Sequence, residues 1–162
     1  MILRPVYTLC RRDRVPTGLP ATFEFFERPQ NLARITPPWL DFRILTPEPI
    51  RMARGLTIDY TVRVFGVRTR WRSLICEYDP PNGFRDVQVI GPYRAWDHRH
   101  RFQPVEGGTA IEDLVVYELP LGPLGHLLNR LAVRRRLDAI FDYRQAEIAR
   151  LFRAGESPVR PR

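Results

Sequence analysis

Between Phe84 and Pro120 apolar and polar residues alternate in three successive runs, broken at Gly91-Pro92 and at Gly107-Gly108. The alternation predicts three antiparallel strands joined by short turns. Side chains of a strand point to opposite faces in turn, so Trp96, His98, His100 and Phe102 share one face and Asp97, Arg99 and Arg101 the other. The same reading puts Phe84, Asp86 and Gln88 on one face of the strand before, and Ile111, Asp113, Val115 and Tyr117 on one face of the strand after. If these faces point inward, the interior is apolar with a polar inlay, which is the pattern of a lined cavity and not of a solid core.

The rest of the chain extends this pattern. Val6 to Val15 reads as a strand. Thr17 is placed to cap a short helix that carries Pro20 in its first turn and ends at Pro29, and a second short helix runs from Asn31 to Ile35. Leu40 to Leu45 reads as extended. In Gly55 to Val64, Leu56, Ile58, Tyr60, Val62 and Val64 alternate with polar neighbours, and a turn at Gly66 follows. The next strand, Val67 to Tyr78, sets Arg68, Arg70 and Arg72 against Val67, Thr69, Trp71, Ser73, Ile75 and Glu77, and Asp79 to Gly83 is a strong turn signal. From His126 to Phe152, Val133, Leu137, Ile140, Phe141, Ile148 and Leu151 recur at steps of three and four, which predicts a long helix with one apolar stripe. One strand, two short helices, six strands and a long helix make an α+β fold. The antiparallel sheet curls, and the helix buries its stripe in the concave face, leaving space between them for a ligand.

Composition changes this picture little. A chain of 162 residues, 44% apolar and 27% charged, fits one domain over residues 1–154 with a frayed tail over 155–162. The net charge of +8 comes from 26 basic residues, all arginine, and favours anionic partners. Cys10 and Cys76 have no metal or redox spacing and read as buried free thiols. No leader-like or membrane-spanning apolar run is visible, so a cytoplasmic protein is expected, with room for peripheral membrane contact.

Four stretches, NLARITPPWLDFRI (Asn31 to Ile44), IDYTVRVFGVRTRWRSLI (Ile58 to Ile75), GPYRAWDHRHRF (Gly91 to Phe102) and LPLGPLGHLLNRLAVRRRLDAIFDYR (Leu119 to Arg144), resemble bacterial proteins of the SRPBCC superfamily, also called START-like or Bet v 1-like. The resemblance covers nearly the whole chain. It implies the helix-grip fold, a curved seven-stranded antiparallel sheet around a long C-terminal helix with two short helices between strands 1 and 2. The superfamily includes lipid carriers, quinone binders and polyketide aromatase/cyclases, and some relatives carry a sugar-epimerase-like domain.

The expected function is to hold a hydrophobic or amphipathic small molecule, a lipid, isoprenoid quinone or polyketide-like compound, as a carrier or chaperone. The alternatives are a cyclase/dehydratase-type enzyme using the same cavity, and an interaction module working through the outward arginines Arg63, Arg68, Arg70, Arg72, Arg99 and Arg101. Ligand contacts are assigned to Tyr60, Trp71, Asp86, Gln88, Trp96, His98, His100, Asp113, Tyr117, Ile140 and Arg144. Arg144 falls in the middle of the helical stripe, where a guanidinium needs a carboxylate or a bound anion. Asp113, Asp86 and Glu77 are its candidate partners; ligand contact and snorkelling are the other readings. His98 and His100 are cavity-wall or acid/base candidates. Two histidines two apart lack a third ligand at recognisable spacing, so neither a metal nor another cofactor is expected. With no aromatic platform among the outward arginines, nucleic acid is not an expected partner. No catalytic residue is assigned, and the oligomeric state is left open.

Overall fold

The computed structural model describes residues 5–120 and 122–153; the expected tail, 155–162, lies outside them. Seven strands form one antiparallel sheet: β1 (Val6–Val15), β2 (Arg43–Ile44), β3 (Thr57–Val64), β4 (Val67–Asp79), β5 (Gly83–Ile90), β6 (Ala95–Val105) and β7 (Gly108–Glu118). Their spatial order is β1-β7-β6-β5-β4-β3-β2. Each strand from β2 to β7 lies beside the next in sequence, and β1 closes against β7. The β6–β7 turn sits tightly under the end of β1: at Gly108 (φ 156°) a Cβ would stand 1.9 Å from the carbonyl oxygen of Val15, so only glycine fits.

Helices α1 (Leu19–Phe26) and α2 (Pro29–Leu32) follow β1, with single 3-10 turns at Ala33–Ile35 and Pro38–Leu40. The α1 N-cap is Gly18 and not Thr17, whose carbonyl instead accepts the hydroxyls of Thr22 (3.2 Å) and Thr109 (2.7 Å). Pro29 opens α2 instead of merely ending α1, because a proline costs nothing at a helix start, where its missing N–H has no partner. The stretch expected to be extended from Leu40 forms only the two-residue β2, since Asp41 adopts a left-handed conformation (φ 43°) after the second 3-10 turn.

The C-terminal helix starts at Gly122, earlier than its apolar stripe implies. It runs as α3 (Gly122–Leu128), one π turn (Asn129–Val133) and α4 (Arg134–Leu151). Asn129, at the head of the π turn, accepts the Tyr117 hydroxyl at 2.8 Å. Arg11 of β1 pairs with Asp138 at 2.7 Å, and Arg134 donates to Asp138 (3.1 Å) and to the carbonyl of Thr8 (2.8 Å), which holds the first turns of α4 against β1.

Two apolar clusters anchor helix to sheet. One joins Val15, Phe23, Phe25, Phe26, Ile35, Phe84, Phe102, Ile111, Ile148 and Phe152; the other joins Leu9, Val115, Tyr117, Val133, Leu137 and Phe141. Two of the inward assignments change. A register shift in β4 between Ile75 and Glu77 turns Glu77 outward, where it pairs with Arg85 at 2.7 Å, and turns Tyr78 toward Phe23 and Glu27. A bulge inserts one residue and so inverts the alternation beyond it. Cys10 is exposed, because it follows the buried Leu9 on β1 and takes the opposite face. The outward arginines are largely engaged: Arg63 and Arg68 with Asp41, and Arg70 and Arg72 with Asp59.

Candidate ligand cavity

A cavity of about 200 Å³ lies between α4 and the concave face of β3 to β6, closed at one side by α1, α2 and the segment that leads into β3. Its walls include Phe25, Phe26, Phe42, Met52, Ile58, Val62, Ile75, Leu137 and Phe141, and an aromatic group in which Tyr60 stacks on Trp71 while Tyr93 and Trp96 meet Trp71 edge-on. The antiparallel register builds the polar inlay. It sets Asp86 opposite His98 on β5 and β6, and His100 opposite Asp113 on β6 and β7.

Within the inlay, Asp113 Oδ1 hydrogen-bonds His98 Nε2 at 3.1 Å. His100 Nδ1 lies 2.6 Å from the same oxygen, in contact but off the line of a straight hydrogen bond. Burial works to raise the Asp113 carboxyl, but the charge and hydrogen bonds of the two imidazoles outweigh it and hold it well below the usual range. Burial, then the neighbouring His98, lowers the pKa of His100. The ionised Asp113 acts the other way on His100, raising its pKa, and is outweighed by burial and His98. Across the inlay, Ser73 donates to Asp86 Oδ2 at 3.1 Å and itself contacts Trp71 Nε1 (3.2 Å) and the Tyr60 hydroxyl (3.3 Å). Burial, reinforced by the charge of Asp86, pushes Tyr60 far above its ordinary pKa, so it stays a neutral phenol.

Arg144 projects from α4 into the same space. It is 8% exposed, its Nε makes no hydrogen bond, and it forms no ion pair among the described residues; its guanidinium carbon lies 5.1 Å from the centre of the Phe141 ring. This corrects the expected pairing with Asp113, Asp86 or Glu77: the histidines and Ser73 hold the first two, and the β4 bulge removes the third.

Of the residues expected to contact a ligand, Tyr60, Trp71, Asp86, Trp96, His98, His100, Ile140 and Arg144 border the cavity. Asp113 stands behind the histidines, 1% exposed. Gln88 is turned to the β5–β6 connection, where its amide donates to the Tyr93 carbonyl (2.7 Å) and accepts the Tyr93 N–H (3.2 Å). Tyr117 is fully buried between Tyr7 and Trp96. Sequence reasoning missed Tyr93, Phe42, Met52 and Leu40. All lie in turns and irregular segments where no periodicity shows the direction of a side chain; only the aromatic identity of Tyr93 and Phe42 was a signal.

A long helix gripped by a curved antiparallel sheet over an apolar cavity with a buried polar inlay defines the class of helix-grip ligand-cavity proteins. The chain belongs to the polyketide cyclase/dehydrase and lipid transport family, whose model matches residues 19–141. No curated protein matches it by sequence. Among solved structures it is similar to the di-domain ARO/CYC StfQ of the steffimycin biosynthetic pathway (TM-score 0.67, 13% identity, covering 88% of this chain and 49% of that one). It is also similar to Ara h 8.0201 (0.60, 14%, 90% and 99%) and to the nucleoside-diphosphate sugar epimerase of Corynebacterium glutamicum (0.62, 22%, 88% and 28%). Identities this low carry the fold alone. Among the described residues no helix is long and apolar enough to cross a membrane.

Proposed function

We propose that the protein binds a small amphipathic molecule, with a ring-like apolar body seated against Tyr60, Trp71, Trp96 and Phe141 and an anionic or carbonyl oxygen received by Arg144. The observation that carries this reading is the buried guanidinium on the cavity wall, which forms no ion pair within 4 Å among the described residues. Burial of an unmatched charge is costly, and an oxygen of the ligand supplies the missing charge-assisted hydrogen bonds. The volume narrows the ligand further. An engineered cavity of roughly 150 Å³ takes benzene, so about 200 Å³ favours one or two fused rings over a long acyl or isoprenoid tail. A cytoplasmic carrier of a polyketide-like aromatic fits these features.

A second reading, cyclase/dehydratase-type catalysis, is favoured by one observation: His98 and His100, braced by Asp113, face the cavity and can move protons on a bound substrate. The two readings separate on His98→Gln, which leaves a carrier able to bind and deprives a catalyst of turnover while it still binds.

The test uses 2-naphthoate and its neutral analogue 2-naphthylmethanol, followed by quenching of tryptophan fluorescence. The carboxylate is expected to bind at least 10-fold tighter to the unmodified protein, and Arg144→Met to erase the preference. Equal affinity for both compounds in the unmodified protein defeats the reading.

A further inference from the structure

We infer that Asp86, His98 and His100 form a binding site for a divalent transition-metal ion, facing the cavity. Asp113 takes one nitrogen of each imidazole, Nε2 of His98 and Nδ1 of His100. At 2.6 and 3.1 Å from a carboxylate oxygen each of those nitrogens carries the proton, since two lone pairs at such distances repel. In the neutral imidazoles the other nitrogens, His98 Nδ1 and His100 Nε2, are then acceptors. Both lie near one atom, Asp86 Oδ1, at 4.0 and 3.9 Å. Asp86 is an acceptor too, and its second oxygen is already occupied by the Ser73 hydroxyl. Three acceptors thus converge with no donor among them, and their potential ligand atoms lie within 4.8 Å of one another.

A cation resolves this convergence. Tetrahedral ligands at about 2.1 Å from an ion stand about 3.4 Å apart, so the 3.9–4.0 Å separations close by about half an ångström on binding. Two imidazoles and one carboxylate suit a first-row divalent ion such as Zn²⁺, Fe²⁺ or Co²⁺ and not Mg²⁺ or Ca²⁺, which prefer an all-oxygen shell. The outer contacts are those of an oriented site: Asp113 fixes the tautomer of both histidines, and Ser73 fixes the rotamer of Asp86. All three ligands border the cavity, so remaining coordination positions open toward the bound molecule. The inference does not rest on the nature of that molecule.

The experiment uses the full chain, stripped with a chelator and titrated with Co²⁺ while visible d–d absorption is recorded. The expected result is one Co²⁺ per chain, bleached by one equivalent of Zn²⁺. Asp86→Asn and His98→Ala each weaken binding 10-fold or more, and Asp113→Asn, which touches no metal, weakens it 10- to 100-fold. No d–d band in the unmodified protein overturns the inference whatever the variants do. So does a band that survives at full strength in Asp86→Asn, which places the ion elsewhere. Near-ultraviolet circular dichroism establishes which variants fold, and if His98→Ala does not, Asp86→Asn at the cavity edge decides.

Discussion

Two neighbouring parts of one concave face have opposite interiors. Under α1, the inward residues of β5, β6 and β7 are Phe84, Phe102 and Ile111; Phe23 meets Phe84 and Phe102 edge to face, Phe26 packs on Phe102, and Phe25 packs on Phe152, a tight aromatic cluster whose near side walls the cavity. Two to four residues along the same strands the inward positions are Asp86, His98, His100 and Asp113, α4 presents Arg144, and a cavity remains. Strand geometry is the same in both. What differs is whether the facing side chains gain by touching: aromatic rings do, whereas the polar inlay holds Asp86, His98, His100 and Asp113 together across the strands and gains nothing from apolar filling. A hollow in this fold is therefore made by choosing which inward residues are polar, not by moving the helix.

The contrast makes unequal predictions for the two parts. Phe102→Ala at the packed end, where the side chain is 1% exposed and touches Phe23 and Phe26, is expected to cost about 3–5 kcal/mol in urea denaturation. A loss below about 1 kcal/mol would mean that the aromatic cluster is not close-packed. At the hollow part, Arg144→Met is expected to leave stability unchanged or raise it by about 1–2 kcal/mol, because an unmatched buried cation is replaced by a flexible apolar side chain. A destabilisation as large as that of Phe102→Ala would reveal a structural role for the guanidinium and erase the contrast.

The smallest effect is alkaline. Burial and the bond to Glu27 push the Tyr78 phenol up to about 12. A tyrosine titrates near 10 in the unfolded chain. The folded state holds its proton longer, so this stabilisation is complete below pH 10 and is lost as the pH rises to about 12. The chain has no lysine, so no amine side chain titrates in that window. Stability measured from pH 9 to 12 is expected to fall, and Tyr78→Phe to fall less steeply. An equal slope would place the Tyr78 hydroxyl in solvent.

Much of this architecture was legible in residue patterns. β1 runs from Val6 to Val15 as the alternation requires, and His98 and His100 point inward because they share a face with Trp96 and Phe102. Arg144 was legible too, since helical spacing alone puts it in the apolar stripe. Other features were not. The β4 bulge leaves no mark in composition, so Glu77 could not be told from an inward residue. Gln88 and Tyr117 lie on the inward faces as expected, but the turn residue Tyr93 in one case, and Tyr7 and Asn129 in the other, take their polar atoms away from the cavity. The third acceptor beside the two histidines was out of reach of spacing rules, because Asp86 joins them across a strand pair.

The sequence by itself determined the order of the main elements, which side chains are inward wherever the alternation is unbroken, and that the interior carries charge. Those properties follow from local periodicity and turn chemistry, which each segment expresses whatever its neighbours do. Tertiary structure alone decided which inward residues meet. Register sets Asp86 against His98 and His100 against Asp113. The packing of α4 then leaves Arg144 facing the cavity with no ion pair among the described residues, Asp86 and Asp113 being engaged by Ser73 and the histidines.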